Sequence, residues 1–515
     1  GGEIFVKVIE KETFGKIFSE NTEDNLMVVF GVTDHGGAPT KQQMSVINRL
    51  SAECKDYDVS YGTVSGFFRD VKPEISVCDE LQTRYLGPYC NYTPVKQDNR
   101  RAETALLNCE AASVIAYNLI DREYPQAEIK QCWKDVMFNQ FHDILGGTCI
   151  SSAYRDAKDR HGRAIQTAAE HMHYALQSIT NMIAMPGKNP DNAWNLAVWN
   201  LNGFPIDAPI EAEVQWAWEF PWYNGGITLT DADGTDYSTQ IITEECVVPS
   251  FRSRFGKAAY GGFDLIDTQS GKTLKGIFLP YVRVDECDTW GFNKTVLETE
   301  RQELSLKSFG VIEDGLLRTA YKAVYAYNKS TLTLLFRVYD DRVLCEYRCL
   351  WNEERRTLKL GFNSGSCISS IPFGFIRREI SEYEMPMAPL DTSREYTYMG
   401  QGETTGVIQM CFDNGKHAAA ALNNPPVIIA EANHGGIFPP QKSFFKCDGA
   451  YLSAVKKSER NGDTILRIVE ENGENTVAGV TIGDCKFSVP LKPFEIRTIA
   501  FDGSKIHKVN MLEEQ

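Results

Sequence analysis

The chain has 515 residues, too many for a single hydrophobic core, so several domains are expected. Hydrophobic residues make up 43% and charged residues 24%, the balance of a globular protein rather than a disordered or fibrous one. A formal net charge of −16 argues against nucleic acid as a partner, and no run of about 18 apolar residues offers a membrane span.

The first 80 residues or so mix strand and helix signals. "NLMVVFGV", from Asn25 to Val32, is a short apolar run ended by glycine and predicts a buried strand. "TDHGGAPT" after it reads as a glycine-rich loop. "PTKQQMSVINRLSAEC" predicts a helix with Pro39 near its first turn, and "DVSYGTVSGFFRDV" a second short strand and a helix start. Strand, loop, helix, strand is the order of an α/β layer, in which the loops after strands carry the chemistry.

From about residue 92 to 184 the period becomes helical. Pro94 opens a helix in which Ala102, Ala105, Leu106, Cys109, Ala112 and Ala116 recur near every 3.6 residues. A second helix starts near Pro125 and is expected to run through Ile129, Trp133, Val136 and Phe141. A third carries Ala157, Ala164, Ile165, Ala168, Met172, Ala175, Ile179 and Met182 on one side. Three such helices predict an antiparallel bundle. The turn-rich "MPGKNPDN" then separates the bundle from short alternating runs such as "LTLLFRVY", "RVLCEYRCLW" and "FEIRTIAF", punctuated by Asn-Gly and Asp-Gly turns. This last region predicts packed antiparallel sheets. The fold class is therefore multidomain α/β + α + β: a partial α/β segment, a three-helix bundle and a large all-β sandwich region. The boundaries fall at 1–85, 86–185 and 193–515.

The fourteen cysteines are scattered and form no Cys-x-x-Cys pair. Cys345 and Cys349 fall on one face of a strand, which predicts buried free thiols and a reducing, cytoplasmic setting. The opening "GGEIFVKVIEKE" has neither a basic start nor an apolar stretch, so no leader is expected there.

His142 and Asp143, in "NQFHDILGGTCI", are expected at the closing end of the second helix. A histidine there serves readily as a cation at the helix C-terminus, with the aspartate a solvated neighbour. Two features count against that reading. An aspartate is unfavourable where the helix end is already negative, and Phe141, Ile144 and Leu145 should draw the pair out of open water. A metal ion or a sugar hydroxyl would partner such a pair, although one histidine cannot make a zinc site alone.

Several segments together resemble a known family. "WKDVMFNQFHDILGGTCI" is similar to the helix-end motif of glycoside hydrolase family 38, the retaining α-mannosidases. "FGVTDHGGAPTKQQM", "ELQTRYLGPYCNYTPVKQDNRRAETAL", "CLWNEERRTLKLGF", "IPFGFIRRE" and "KPFEIRTI" resemble further segments of that family in the same order. The resemblance implies an enzyme that removes α-linked mannose from mannose-containing oligosaccharides with one divalent metal, normally zinc. It makes His142 a metal ligand, Asp143 a partner of the sugar hydroxyls and Asp34 the general acid. It also makes residues 1–85 the closing part of a catalytic barrel whose start would precede Gly1, so apolar surface should be exposed there. No His-x-Asp triplet, which the family uses for two further ligands, occurs in the sequence. Retaining chemistry needs two carboxylates about 5 Å apart, and only the acid is represented. A non-catalytic carbohydrate-binding or scaffold protein is the alternative. Neither nucleic acid nor membrane is expected as a partner, and a homo-oligomer is left open.

Overall fold

The computed structural model describes residues 27–31, 37–55, 58–71, 88, 91–185, 194–212, 228–242, 256–257, 263–266, 271, 273–287, 290, 299–363, 367–371, 374–378, 393–398, 402–411 and 417–514. Two compact units divide the chain, Gly1–Leu81 and Gln82–Gln515.

In the first unit the helix Lys41–Glu53 begins at a capping box. Gln43 N donates to Thr40 Oγ1 at 3.1 Å, and Thr40 N donates to Gln43 Oε1 at 3.0 Å, so two otherwise orphaned amides are satisfied. The same Gln43 donates through Nε2 to Gly31 O at 2.9 Å, tying the preceding segment to the helix start. A second helix covers Val64–Asp70, with Thr63 as its cap. The strand expected over Asn25–Val32 does not form across residues 27–31, and none forms across 58–63. Among the described residues no neighbouring strand offers these segments a hydrogen-bonded ladder. Val29, Met44, Tyr61 and Val64 are exposed.

The second unit opens with the three expected helices, Thr93–Ile120, Gln126–Asn139 and Ser151–Thr180. Pro94 stands in the first turn of the first helix, where its missing N–H removes nothing. Ala102, Ala112, Ala116, Ala164, Ala168 and Ala175 are fully enclosed, and these small side chains let the first and third helices approach closely along their length.

Beyond residue 194 the regular structure of the described chain is strand, apart from the short helix Ala418–Asn423. A five-stranded antiparallel sheet runs in the order Gly402–Cys411, Arg342–Trp351, Ser330–Val338, Thr319–Tyr327, Ser305–Asp314. Its inner face alternates as the sequence period required. Val343, Cys345, Cys349 and Trp351 point into a core shared with Phe263, Phe278, Val282 and Leu358 of neighbouring strands. A second pair of sheets closes the chain, one holding Tyr451–Lys457, Thr464–Val469, Ile496–Phe501 and Ile506–Val509, the other Phe445–Asp448, Thr476–Ile482 and Cys485–Leu491. Gly483, at φ +57°, makes the two-residue hairpin between the last two of these strands.

The C-terminal sheets do not enclose their core by themselves. Leu452, Leu466, Ile468, Val480, Val489 and Ile499 pack in one cluster with Leu106, Cys109, Ile129, Val136 and Ala164 of the bundle. The strand pair Asn195–Trp199 and Val427–Glu431 covers the far end of the same helices, through Trp199 and Ile429 against Ile115, Leu176 and Ile179.

Candidate functional site

His142 does not stand at the end of the second helix. That helix stops at Asn139, because Phe141 adopts extended angles (φ −51°, ψ 134°) that break the i→i−4 ladder. A separate turn, His142–Leu145, then begins. The clash expected between Asp143 and a negative helix end therefore does not arise, since Asp143 lies in the first turn of the new segment.

Side chains from both neighbouring helices fix this turn. Asn139, fully buried, donates to Ala157 O at 3.0 Å. Gln140 donates to Glu103 Oε1 at 2.9 Å and to Asn99 Oδ1 at 3.2 Å. Ile144 is buried with Val95, Tyr154 and Ala157. Lys96 donates to Leu145 O at 2.9 Å and to Asn91 O, clamping the far side of the turn. Gly147 follows at φ +82°, and a Cβ there would lie 2.6 Å from Asn91 O, so this position requires glycine.

The anchored turn lifts the pair into solvent. The His142 side chain is 71% exposed and that of Asp143 38%, so the apolar flanks do not bury them as expected. Ile144 faces inward, while Phe141 is itself exposed with its ring 4.3 Å from the His142 ring. His142 Nε2 lies 3.7 Å from Asp143 Oδ2. The other carboxylate oxygen accepts from Thr148 Oγ1 at 3.1 Å, and Thr148 N donates to Asp143 O at 3.1 Å. One oxygen of Asp143 is thus oriented by the protein and the other faces the imidazole. Met137, Phe138 and Ile150 are exposed on neighbouring positions of the chain.

Asp34 lies outside the described residues, as do the other residues of the first half of "TDHGGAPT". No group of three or more His, Cys, Asp or Glu side chains that could hold a metal occurs among the described residues. The segment Asn433–Gly436 bridges to residues 183–185, in the turn that follows the third bundle helix. His434 pairs with Met185, and Gly436 lies so close to Ile183 that a Cβ would meet its carbonyl carbon at 2.3 Å.

The model of the α-mannosidase middle domain matches residues 86–179, the stretch that holds all three bundle helices and the His142 turn. Over part of its length the chain is similar to curated α-mannosidases. Alpha-mannosidase 2C1 of Mus musculus is 28% identical over 153 residues, which are 27% of this chain and 15% of that protein. Alpha-mannosidase G of Dictyostelium discoideum is 24% identical over 367 residues, 66% of this chain and 32% of that one. The aligned part thus spans well under half the length of these α-mannosidases. The crystal structure of an alpha-mannosidase from Enterococcus faecalis V583 superposes with a TM-score of 0.72 at 14% identity, over 90% of this chain and 75% of its own. A second structure, a glycosyl hydrolase family 38 protein from the same species, superposes at 0.70 over 95% and 78%. At this identity the two superpositions establish a common fold of helices and several sheets. Among the described residues no helix is long and apolar enough to cross a membrane.

Sequence reasoning passed over two residues that shape this region. Lys96 carries no motif; only the fold shows that its ammonium reaches two carbonyls. His161 was legible, since Tyr154, Ala157, His161, Ala164 and Ala168 are spaced by three or four and share one buried face.

Proposed function

We propose that the complete gene product is a retaining exo-α-mannosidase that hydrolyses α-linked mannose from glycans with a divalent metal, and that this chain supplies part of its sugar pocket. The observation that carries the reading is the middle-domain match over residues 86–179, within which a pinned turn presents His142 and Asp143 side by side. In this reading residues 1–85 belong to the catalytic barrel, 86–185 form the helical domain and 193–515 the β-sandwich domains. The buried free thiols Cys109, Cys132, Cys345 and Cys349 support a cytoplasmic setting.

His142 is a zinc ligand by type, an exposed imidazole with a carboxylate beside it. Two donors fall short of the three protein ligands a catalytic zinc takes, so the described residues do not by themselves fit the metal. The reading therefore assigns His142 as one ligand and derives no step through the metal. Asp143, one oxygen held by Thr148, would accept hydrogen bonds from the hydroxyls of the mannose being cleaved. Asp34 would act as the acid and then the base of the two-step displacement, and the nucleophilic carboxylate would come from elsewhere.

The test is hydrolysis of p-nitrophenyl α-mannoside by the complete gene product, with zinc content measured in parallel and the first-formed sugar anomer followed by NMR. The reading expects the α-anomer first, and in His142→Ala most metal and nearly all turnover lost with the melting temperature little changed. First appearance of the β-anomer, or a His142→Ala protein that keeps metal and full turnover, would overturn it.

A further inference from the structure

A polar cavity lies between the N-terminal halves of the first and third bundle helices. Its volume is about 310 Å³, at the small end of ligand sites. Tyr92, Asp98, Arg101, Tyr154, Lys158 and His161 line it, and Thr405, from the strand Gly402–Cys411, reaches it from the five-stranded sheet. Gln97 Nε2 donates to Thr405 O at 2.7 Å and holds the strand against the helix.

His161 is the anomaly. It is 1% exposed, yet neither ring nitrogen has a hydrogen-bond partner among the described residues. A buried donor left unmet works against folding, so a histidine kept there calls for a partner that the described residues do not supply. Burial holds its pKa below the ordinary value despite the nearby carboxylate of Asp98, so the ring is neutral near pH 7 and offers one donor and one acceptor.

We propose that this cavity binds a single sugar residue, whose hydroxyls meet His161 on the buried side and Asp98, Arg101 and Lys158 nearer the solvent. The choice among ligand classes follows from the pairing of donors with acceptors. A hydroxyl both donates and accepts, which matches a neutral imidazole. Asp98 accepts only, and Arg101 and Lys158 donate only. Asp98 stands 3.6 Å from Arg101 and cancels part of the positive charge that an oxyanion would need. Lys158 has no ion-pair partner among the described residues. The rings of Tyr92 and Tyr154 stack on each other at 4.0 Å and give the pocket a rigid aromatic side. The site is separate from His142. Mannose as the first probe rests on the mannosidase reading; the cavity and its lining do not.

The experiment titrates methyl α-mannoside, methyl α-glucoside and inorganic phosphate into the full chain, following the imidazole nitrogen spectra of its eight histidines. His161→Gln identifies the His161 signals by their loss. One of the two glycosides should shift those signals saturably. Asp98→Asn and Lys158→Ala should each weaken that binding about tenfold. His142→Ala should leave it intact, so failure here and failure of the mannosidase reading are told apart. If neither glycoside moves the His161 signals, if phosphate alone moves them, or if Asp98→Asn leaves the affinity unchanged, the proposal is wrong. Should His161→Gln not fold, the exposed Lys158→Ala and partly exposed Asp98→Asn still decide the outcome.

Discussion

Trp133 Nε1 donates a hydrogen bond to Glu110 Oε1 at 3.1 Å, joining the first two bundle helices beneath the C-terminal sheets. Glu110 is 4% exposed, and burial raises its pKa to about 7, although Lys456 and Arg467 pull it down. Lys456 is itself bound to Glu513 at 3.0 Å and Glu459 at 3.2 Å, so its charge is shared. The folded protein therefore holds a proton on Glu110 that the unfolded chain releases near pH 4.5. Stability contributed by this group is present at low pH and is lost as pH rises from about 4.5 to about 7. Glu110→Gln should leave urea stability nearly unchanged at pH 5 and raise it by on the order of 2 kcal/mol at pH 8. Equal effects at both pH values would show that the carboxyl is charged throughout.

Glu470 shows the opposite arrangement. It is almost fully buried, and burial would raise its pKa. Four backbone amides donate to it instead, those of Asn472 at 2.7 Å, Gly473 and Phe494 at 2.9 Å and Glu474 at 3.2 Å, and they hold it below the ordinary value. The stability it contributes is complete above the unfolded value of about 4.3 and disappears as pH falls through the lower folded one. Glu470→Gln should cost about 2 kcal/mol at pH 7 in urea unfolding, and the gap to the parent should narrow below about pH 4.

Gly147 is the hinge on which the His142 turn rejoins the chain. Gly147→Ala should destabilise the chain by about 2 kcal/mol, since φ +82° disfavours a Cβ and the added atom meets Asn91 backbone. The matching control is Gly503→Ala, also at positive φ but with nothing within 4 Å of the added Cβ among the described residues, whose cost in the same urea unfolding should be smaller.

Cys345 and Cys349 are wholly enclosed, and burial pushes the Cys349 thiol up to about 12 and Cys345 well above its ordinary range. Neither should react with iodoacetamide in the folded chain at pH 8, and both should react in urea. Mass spectrometry of the alkylated peptides decides this.

How far the sequence could be read depends on how far apart the interacting residues lie. The bundle was legible because its period is local. Ala112 and Ala116 lie four residues apart, as do Ala164 and Ala168, and Ala175 follows seven residues on, so each set stays on one face of its helix. The alternation around Cys345 was legible for the same reason. The break at Phe141 was not, because helix propensity across "FNQFHDIL" gives no stop signal. Asn139, Gln140 and Ile144 find their partners on other helices, and those contacts set the break. The exposure of His142 follows from that break. A continuous helix would have turned the residue with its apolar neighbours toward the core. Nor could any local pattern show that Leu106 and Val136 pack against Leu466 and Val480.

That packing orders events in time. The third bundle helix ends at Thr180; the strand Asn195–Trp199 reaches its far end soon after, but the first strand of the two C-terminal sheets that cover the rest begins only at Phe445. During synthesis the helices are complete while much of the chain is still to be made, and at several residues per second their uncovered apolar face waits tens of seconds for its lid. The aggregation-sensitive species in producing this protein is a nascent chain, and conditions that slow elongation or shorten the C-terminus should lower soluble yield more than surface changes elsewhere.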